Sequence, residues 1–233
     1  MCKRLFEGSK PRYTVQLSKE GKQKKLQDTP KENNILCISC EKRLEILENY
    51  FSTIFRDLNG LQNARRKYHF NTEYNQEILI CDDLQPTLFK LFIFSLIWRS
   101  SISNLLEFET FSLKDNVKEQ LRMFLDVNLK SNHNELLQSA VYISDIPRYH
   151  SCLIKPKGKI RGIFTAYEFG EEAYAIFTVD YALFFYTKDV PLVKEHILFS
   201  NRDDQKVKVV FGNDEEWKKL NNLVVNNMLK YNS

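Results

Sequence analysis

The clearest pattern along the chain begins just after Cys37, where apolar residues recur at steps of three and four: Leu44, Leu47, Tyr50, Phe51, Ile54, Phe55 and Leu58. That spacing predicts an amphipathic helix over about 40–58, with Asn59-Gly60 as its C-terminal stop. Upstream, Tyr13, Val15 and Leu17 alternate with polar residues and Gly21 sits in a polar stretch, which predicts a basic β-hairpin over 12–26. Leu88 to Trp98 is almost wholly apolar and reads as a buried helix reaching about Ser103, with Asp82 and Asp83 expected as its N-cap and first turn. Val117, Leu121, Phe124, Leu125 and Leu129 predict a further helix over 116–129, and a short one is expected around 135–139.

From Ala140 onward the period changes. The stretches 142–144, 152–155, 159–169, 174–187, 197–199 and 206–211 are rich in β-branched and aromatic residues and are separated by turn-like PKGK, FGEE, KDVP and NRDD segments. They predict an antiparallel sheet. Asn213 followed by Asp214, Glu215 and Glu216 marks a helix start, and Trp217, Leu220, Leu223, Val224 and Met228 give that helix an apolar face to close over the sheet. The fold class is α+β, in three parts: a hairpin, CxxC and helix over 1–60, a helical region over 61–135, and a β-rich region with its closing helix over 136–233.

Composition narrows the class without naming a function. The 233 residues are 43% hydrophobic and 27% charged, enough apolar material for a sizeable core and incompatible with a collagen-like or disordered chain. The apolar run between Lys90 and Arg99 is far shorter than the roughly 20 residues a bilayer span takes, so no membrane role is expected. The net charge of +4 is mild, but its placement is not even. Residues 1–33 hold nine Lys or Arg against four Asp or Glu, a local +5, and the rest of the chain is close to neutral.

Five cysteines, at positions 2, 37, 40, 81 and 152, and no secretory signal at the start point to reduced thiols and a cytoplasmic location rather than a disulfide scaffold. Cys37-x-x-Cys40, at the start of a helix and after a hairpin, is the arrangement of a zinc knuckle: two thiolates can reach one tetrahedral ion. Four donors are needed, and no second CxxC or HxxxH is present in the sequence. Cys2 and His69 are the candidates for the remaining two, Cys81 a poorer one, and one structural zinc ion is the only cofactor expected. The alternative is a pair of small residues packed at a helix start, with no metal. A redox role is disfavoured by the lack of a βαβ setting.

The residues 24–28 (KKLQD), then Asn34-Ile35-Leu36-Cys37-Ile38-Ser39-Cys40-Glu41 with Leu44, Glu48, Tyr50, Phe51, Ile54 and Phe55, together with Phe94 to Ser103 (FSLIWRSSIS), resemble a largely uncharacterised bacterial family with an HNH-like treble-clef start. The resemblance covers about 3–103 and implies a treble-clef-like hairpin-plus-helix unit. In the family pattern a first CxxC knuckle and a Ser-His-Ile-Ile-Pro segment precede the hairpin, and that His is the natural base or metal ligand. Neither element occurs in this sequence. A metal-dependent nuclease needs a ligated cation to activate water, so the expectation is a degenerate, non-catalytic relative with no catalytic residues. The intact nuclease stays open only if an upstream extension supplies the missing groups.

Arg12, Lys22, Lys24 and Lys25, with Arg65, Arg66, Lys67, Tyr68 and His69, would form a basic surface with aromatics if the two segments meet in space. Such a surface binds phosphates without regard to sequence, and aromatic rings stack on exposed bases. Nucleic acid is therefore one expected partner. Two solvated basic loops are the plainer alternative. A second reading is a regulatory or protein-interaction component, for instance of a mobile-element or phage-defence locus, with the aromatic stretch Tyr174 to Tyr186 as the surface for a protein partner or a second copy. His150 and Cys152 could suggest a Cys-His pair, but without an oxyanion-hole segment they read as packing. Trp98-Arg99 reads as a core anchor beside an ion pair or carbonyl clamp.

Overall fold

The computed structural model describes residues 14–17, 23–26, 32, 35–59, 68–73, 76–82, 84–157, 164–170, 172–178, 181–188, 199–201 and 206–230. Strands β1 (Thr14–Leu17) and β2 (Gln23–Leu26) pair antiparallel, as the alternation predicts. Helix α1 (Ile38–Asn59) follows. Strands β3 (Tyr68–Glu73) and β4 (Gln76–Cys81) come next, then helices α2 (Pro86–Ile102), α3 (Asp115–Asn128) and α4 (His133–Ser139). The remainder is β5 (His150–Pro156), β6 (Thr165–Gly170), β7 (Ala173–Phe177), β8 (Ala182–Tyr186), β9 (Val207–Gly212) and helix α5 (Asp214–Lys230).

The protein is an α+β fold built on one seven-stranded sheet in the order β3-β4-β9-β5-β8-β7-β6. Its pairings are antiparallel except β5 with β9, which run parallel, so the sheet is mixed. Strands β3 and β4, from the middle of the chain, join the C-terminal strands through β4 and β9. The alternation of side chains sorts each strand onto two faces. On one face Leu79, Leu153, Ile176, Leu183, Phe185 and Val209 enter the main core, which also takes residues of α1 through α4. On the other, Tyr167, Ala175, Phe177 and Ala182 meet Trp217 and Val224 of α5, a second and smaller core. Helix α5 thus closes over the sheet as expected.

Helix α2 is the centre of the larger core. It is apolar around its whole circumference because neighbours surround it: Phe92 stacks on Phe51 of α1 at 4.6 Å, and Phe94 meets both Phe124 of α3 and Phe185 of β8 edge-on. Even Lys90 is buried there. Among the described residues no helix is long and apolar enough to cross a membrane.

Several local expectations are corrected. Helix α2 is not capped by Asp82 and Asp83: its N-cap is Gln85, without a side-chain cap bond, and Pro86 takes the first turn. Proline suits that position because its missing N–H has no partner to lose there. Asp82 instead pairs with Lys206 at 2.8 Å, and residue 83 lies outside the described residues. Residues 142–144 form no strand, and Tyr142 is 84% exposed. The expected strand 174–187 is two strands, because Thr178 and Tyr181 bond each other in a tight turn, Thr178 N–H to Tyr181 O at 2.7 Å and Tyr181 N–H to Thr178 Oγ1 at 3.0 Å. The strand expected over 159–169 is β6, beginning at Thr165, with 158–163 outside the described residues, as are 197 and 198. Gly170 sits at a register shift of the β6–β7 pair, the bulge that a strand glycine suggests, and the turn continues through Glu172 at φ 62°.

Candidate functional site

Cys37 is the last residue before α1, and its position explains its contacts. The first amides of a helix have no partner within it, and here the Cys40 N–H donates to Cys37 Sγ at 3.3 Å while the Glu41 N–H donates to the Cys37 carbonyl at 3.0 Å. The two sulfurs lie 3.0 Å apart in a thiol–thiol hydrogen bond. Cys37 is exposed and Cys40 half-buried, both as free thiols. The hydrogen bond between the two thiols, together with the Cys40 amide, lowers the Cys37 pKa below the usual thiol value. The same hydrogen bond raises that of Cys40, against the pull of Arg43.

Arg43 lies one turn beyond Cys40 on the same side of the helix. Its Nη2 donates to Cys40 Sγ at 3.7 Å and to Asp126 Oδ1 at 2.6 Å, and its Nη1 donates to the Asp126 carbonyl at 2.7 Å. The start of α1 is therefore clamped to the end of α3. A second clamp holds the preceding segment: Glu32 accepts from Ser103 Oγ at 2.6 Å and from the Asn104 amide at 2.9 Å, just past the end of α2. Burial opposes ionisation of Glu32, but these donors outweigh it and hold its carboxyl below the ordinary range. Between the ends of α1, α2 and α3 lies a cavity of ≈ 300 Å³, with Trp98, Leu36 and Leu129 as apolar walls and Cys40, Arg43, Arg122 and Asp126 as polar ones.

The sequence-derived candidates distribute unevenly around this site. Cys37 and Cys40 are brought together. Lys24 and Lys25 lie in β2, in register with Gln16 and Val15, and His69 lies in β3, in register with Ile80. Cys2, Arg12, Lys22, Arg65, Arg66 and Lys67 fall outside the described residues. Among the described residues no group of three or more His, Cys, Asp or Glu side chains converges on a point where a metal could sit. Cys81 is buried in the main core.

Other readings resolve into packing. His150 and Ser151 are buried and Cys152 is half-buried on β5, and burial alone pushes the Cys152 thiol up to about 12, which makes it a poor nucleophile. Arg99 combines both expected roles, donating from Nε to the Ser95 carbonyl at 3.2 Å and pairing through Nη2 with Glu48 of α1 at 2.5 Å. The aromatics expected to offer a partner surface are largely inside: Tyr174, Phe177, Tyr181 and Phe185 are all buried in the protein's own cores. Arg43, Asp126 and Glu32 escaped the sequence reading. A signal existed for Arg43, three residues after Cys40, but Asp126 and Glu32 act across tertiary contacts.

Fold and site together define an α+β protein whose accessible chemistry is a thiol pair at the start of a clamped helix. No protein-family model, no curated protein and no solved structure matches the chain.

Proposed function

We infer that this chain is a non-catalytic, treble-clef-like protein that binds nucleic acid through its basic N-terminal segment. The observation that carries the reading is the order of elements: an antiparallel hairpin with Lys24 and Lys25 in its second strand, an anchor at Glu32, and a helix opened by Cys37 and Cys40. The local charge of residues 1–33 gives that hairpin an electrostatic purpose, since phosphate contacts by Lys and Arg supply affinity independent of sequence. Arg12, Lys22, Arg65, Arg66 and Lys67 are the further proposed contacts. The reading also draws on the resemblance to the HNH-like bacterial family.

The reading carries at most one structural zinc ion. Cys37 and Cys40 would hold it with two further donors, for which Cys2 and His69 are proposed. Purified without chelator, the protein then contains one equivalent of zinc that Cys37→Ser removes. A metal-free protein would leave the thiols without that role. Nucleic-acid binding itself is tested by the salt dependence of affinity, with Lys24 and Lys25 replaced by glutamine.

A further inference from the structure

We propose that the surface formed by α3, α4 and the residues just after them pairs with the same surface of a second copy of this chain, giving a two-fold dimer. This goes beyond nucleic-acid binding and does not depend on it.

Apolar exposure is concentrated there. Of the eight large apolar side chains exposed among the described residues, five are Met123, Val127, Leu137, Val141 and Tyr142. Val127 is 69% exposed and Val141 68%. Scattered exposed apolar residues are ordinary, but a group of them marks an interaction surface. Local structure brings these five to one side of the molecule. Gln120, Met123 and Val127 follow at steps of three and four, so they share a flank of α3 beside its buried stripe of Val117, Leu121 and Phe124. Tyr149 Oη donates to Gln120 Oε1, so the chain leaving α4 turns at Asp145, where φ is 55°, and returns along this flank. Leu137 and Val141 are one turn apart, because Ala140 N–H donates to the Leu136 carbonyl and Tyr142 N–H to the Ser139 carbonyl, which continues the coil of α4. A connection over 129–132 alone joins the two helices and keeps the two apolar pairs near each other.

Charge selects the occupant. Ten Lys, Arg, Asp and Glu residues fall within 114–148, and six of them are paired inside the chain: Lys114 with Glu172, Asp115 with Lys118, Glu119 with Arg122, and Asp126 with Arg43. The other four, Lys130, Glu135, Asp145 and Arg148, make no ion pair among the described residues. They border the apolar group in sequence, two basic and two acidic. A nucleic acid or a strongly charged protein would be met by an excess of one sign. A two-fold contact instead sets each residue of one copy against a different residue of the other, and the reverse contact follows by symmetry. The basic pair of each copy then meets the acidic pair of its partner, around an apolar centre of the kind that protein interfaces use.

Analytical ultracentrifugation of the full chain, reduced and freed of nucleic acid, tests this across the micromolar range. The expected result is a dimer in equilibrium with monomer. The double variant Val127→Lys, Val141→Lys changes positions that are already solvent-exposed, and it should keep the native circular dichroism while raising the dissociation constant at least about tenfold. Two further variants test the pairing by charge. One makes the border acidic, with Lys130→Glu and Arg148→Glu. The other makes it basic, with Glu135→Lys and Asp145→Asn, asparagine being suited to the left-handed backbone at that position. Each should self-associate more weakly than the native chain, and an equimolar mixture should form a heterodimer at least about tenfold tighter than either homodimer. A chain that is monomeric throughout the range, or that forms an open series of oligomers, would overturn the proposal. A dimer of native strength in the Val127→Lys, Val141→Lys variant would place the contact elsewhere and overturn the assigned surface. Charge variants that gain nothing on mixing would overturn the two-fold pairing.

Discussion

Arg43 joins the chemistry of the site to the stability of the fold, because one guanidinium serves both Cys40 and Asp126. Its hydrogen bond, and after that its positive charge, hold the Asp126 carboxyl below its ordinary value of 3.8. For a carboxylate depressed on folding, the contribution to stability is complete above the unfolded-state pKa and is lost as pH falls through the lower folded-state value. Asp126→Asn should therefore lower the thermal midpoint at neutral pH, and its difference from the native chain should vanish in acid. A difference unchanged from neutral to acid pH would show that the ion pair is not its source. At this scale the sequence was informative wherever partners lie close along the chain. Cys37 and Cys40 share a helical turn, so their spacing announces the contact. Asp126 lies 83 residues from Arg43, and nothing in its local context distinguishes it from any solvated aspartate.

Among the elements, α5 shows how local rules succeed when both partners are local. Asn213 Oδ1 accepts the Glu216 amide at 2.9 Å, and Glu216 Oε2 accepts the Asn213 amide at 3.0 Å, a reciprocal cap written into four consecutive residues. Asn213→Ala should cost about 1 kcal/mol in urea unfolding, and Asn213→Gly only a few tenths. An alanine variant as stable as the native chain would mean that Trp217, buried beneath the helix, fixes the start of α5 without the cap. Helix α2 shows the opposite case. Two acidic residues before an apolar run look like a cap, but Asp82 serves an ion pair with Lys206, and the sheet contact brings that partner from more than a hundred residues away. Likewise the β7–β8 turn holds neither glycine nor proline at Thr178 or Tyr181, so the two strands read as one.

Across the whole molecule, the class was legible because periodicity changes from helical to alternating near Ala140, and because apolar strand residues must be covered on both faces. Strand order was less so. The hairpin β3–β4 contributes to the sheet from a stretch whose basic and aromatic residues suggested a binding loop, and the parallel pairing of β5 with β9 depends on contacts that no local pattern encodes. The two cores together absorb most of the aromatic residues of the C-terminal strands. The proposed nucleic-acid contacts rest on the net charge of residues 1–33. The proposed binding is electrostatic in origin, and its signature is the dependence of affinity on salt. With single-stranded and duplex DNA and RNA as probes, the logarithm of the association constant should fall linearly with the logarithm of salt concentration. Each phosphate contact contributes about 0.7 to 0.9 to that slope, so the double variant Lys24→Gln, Lys25→Gln should bind more weakly and with a slope shallower by about 1 to 2. Circular dichroism identical to that of the native chain would show the fold retained. Binding indifferent to salt, or a double variant with the native affinity and slope, would overturn the proposed nucleic-acid binding.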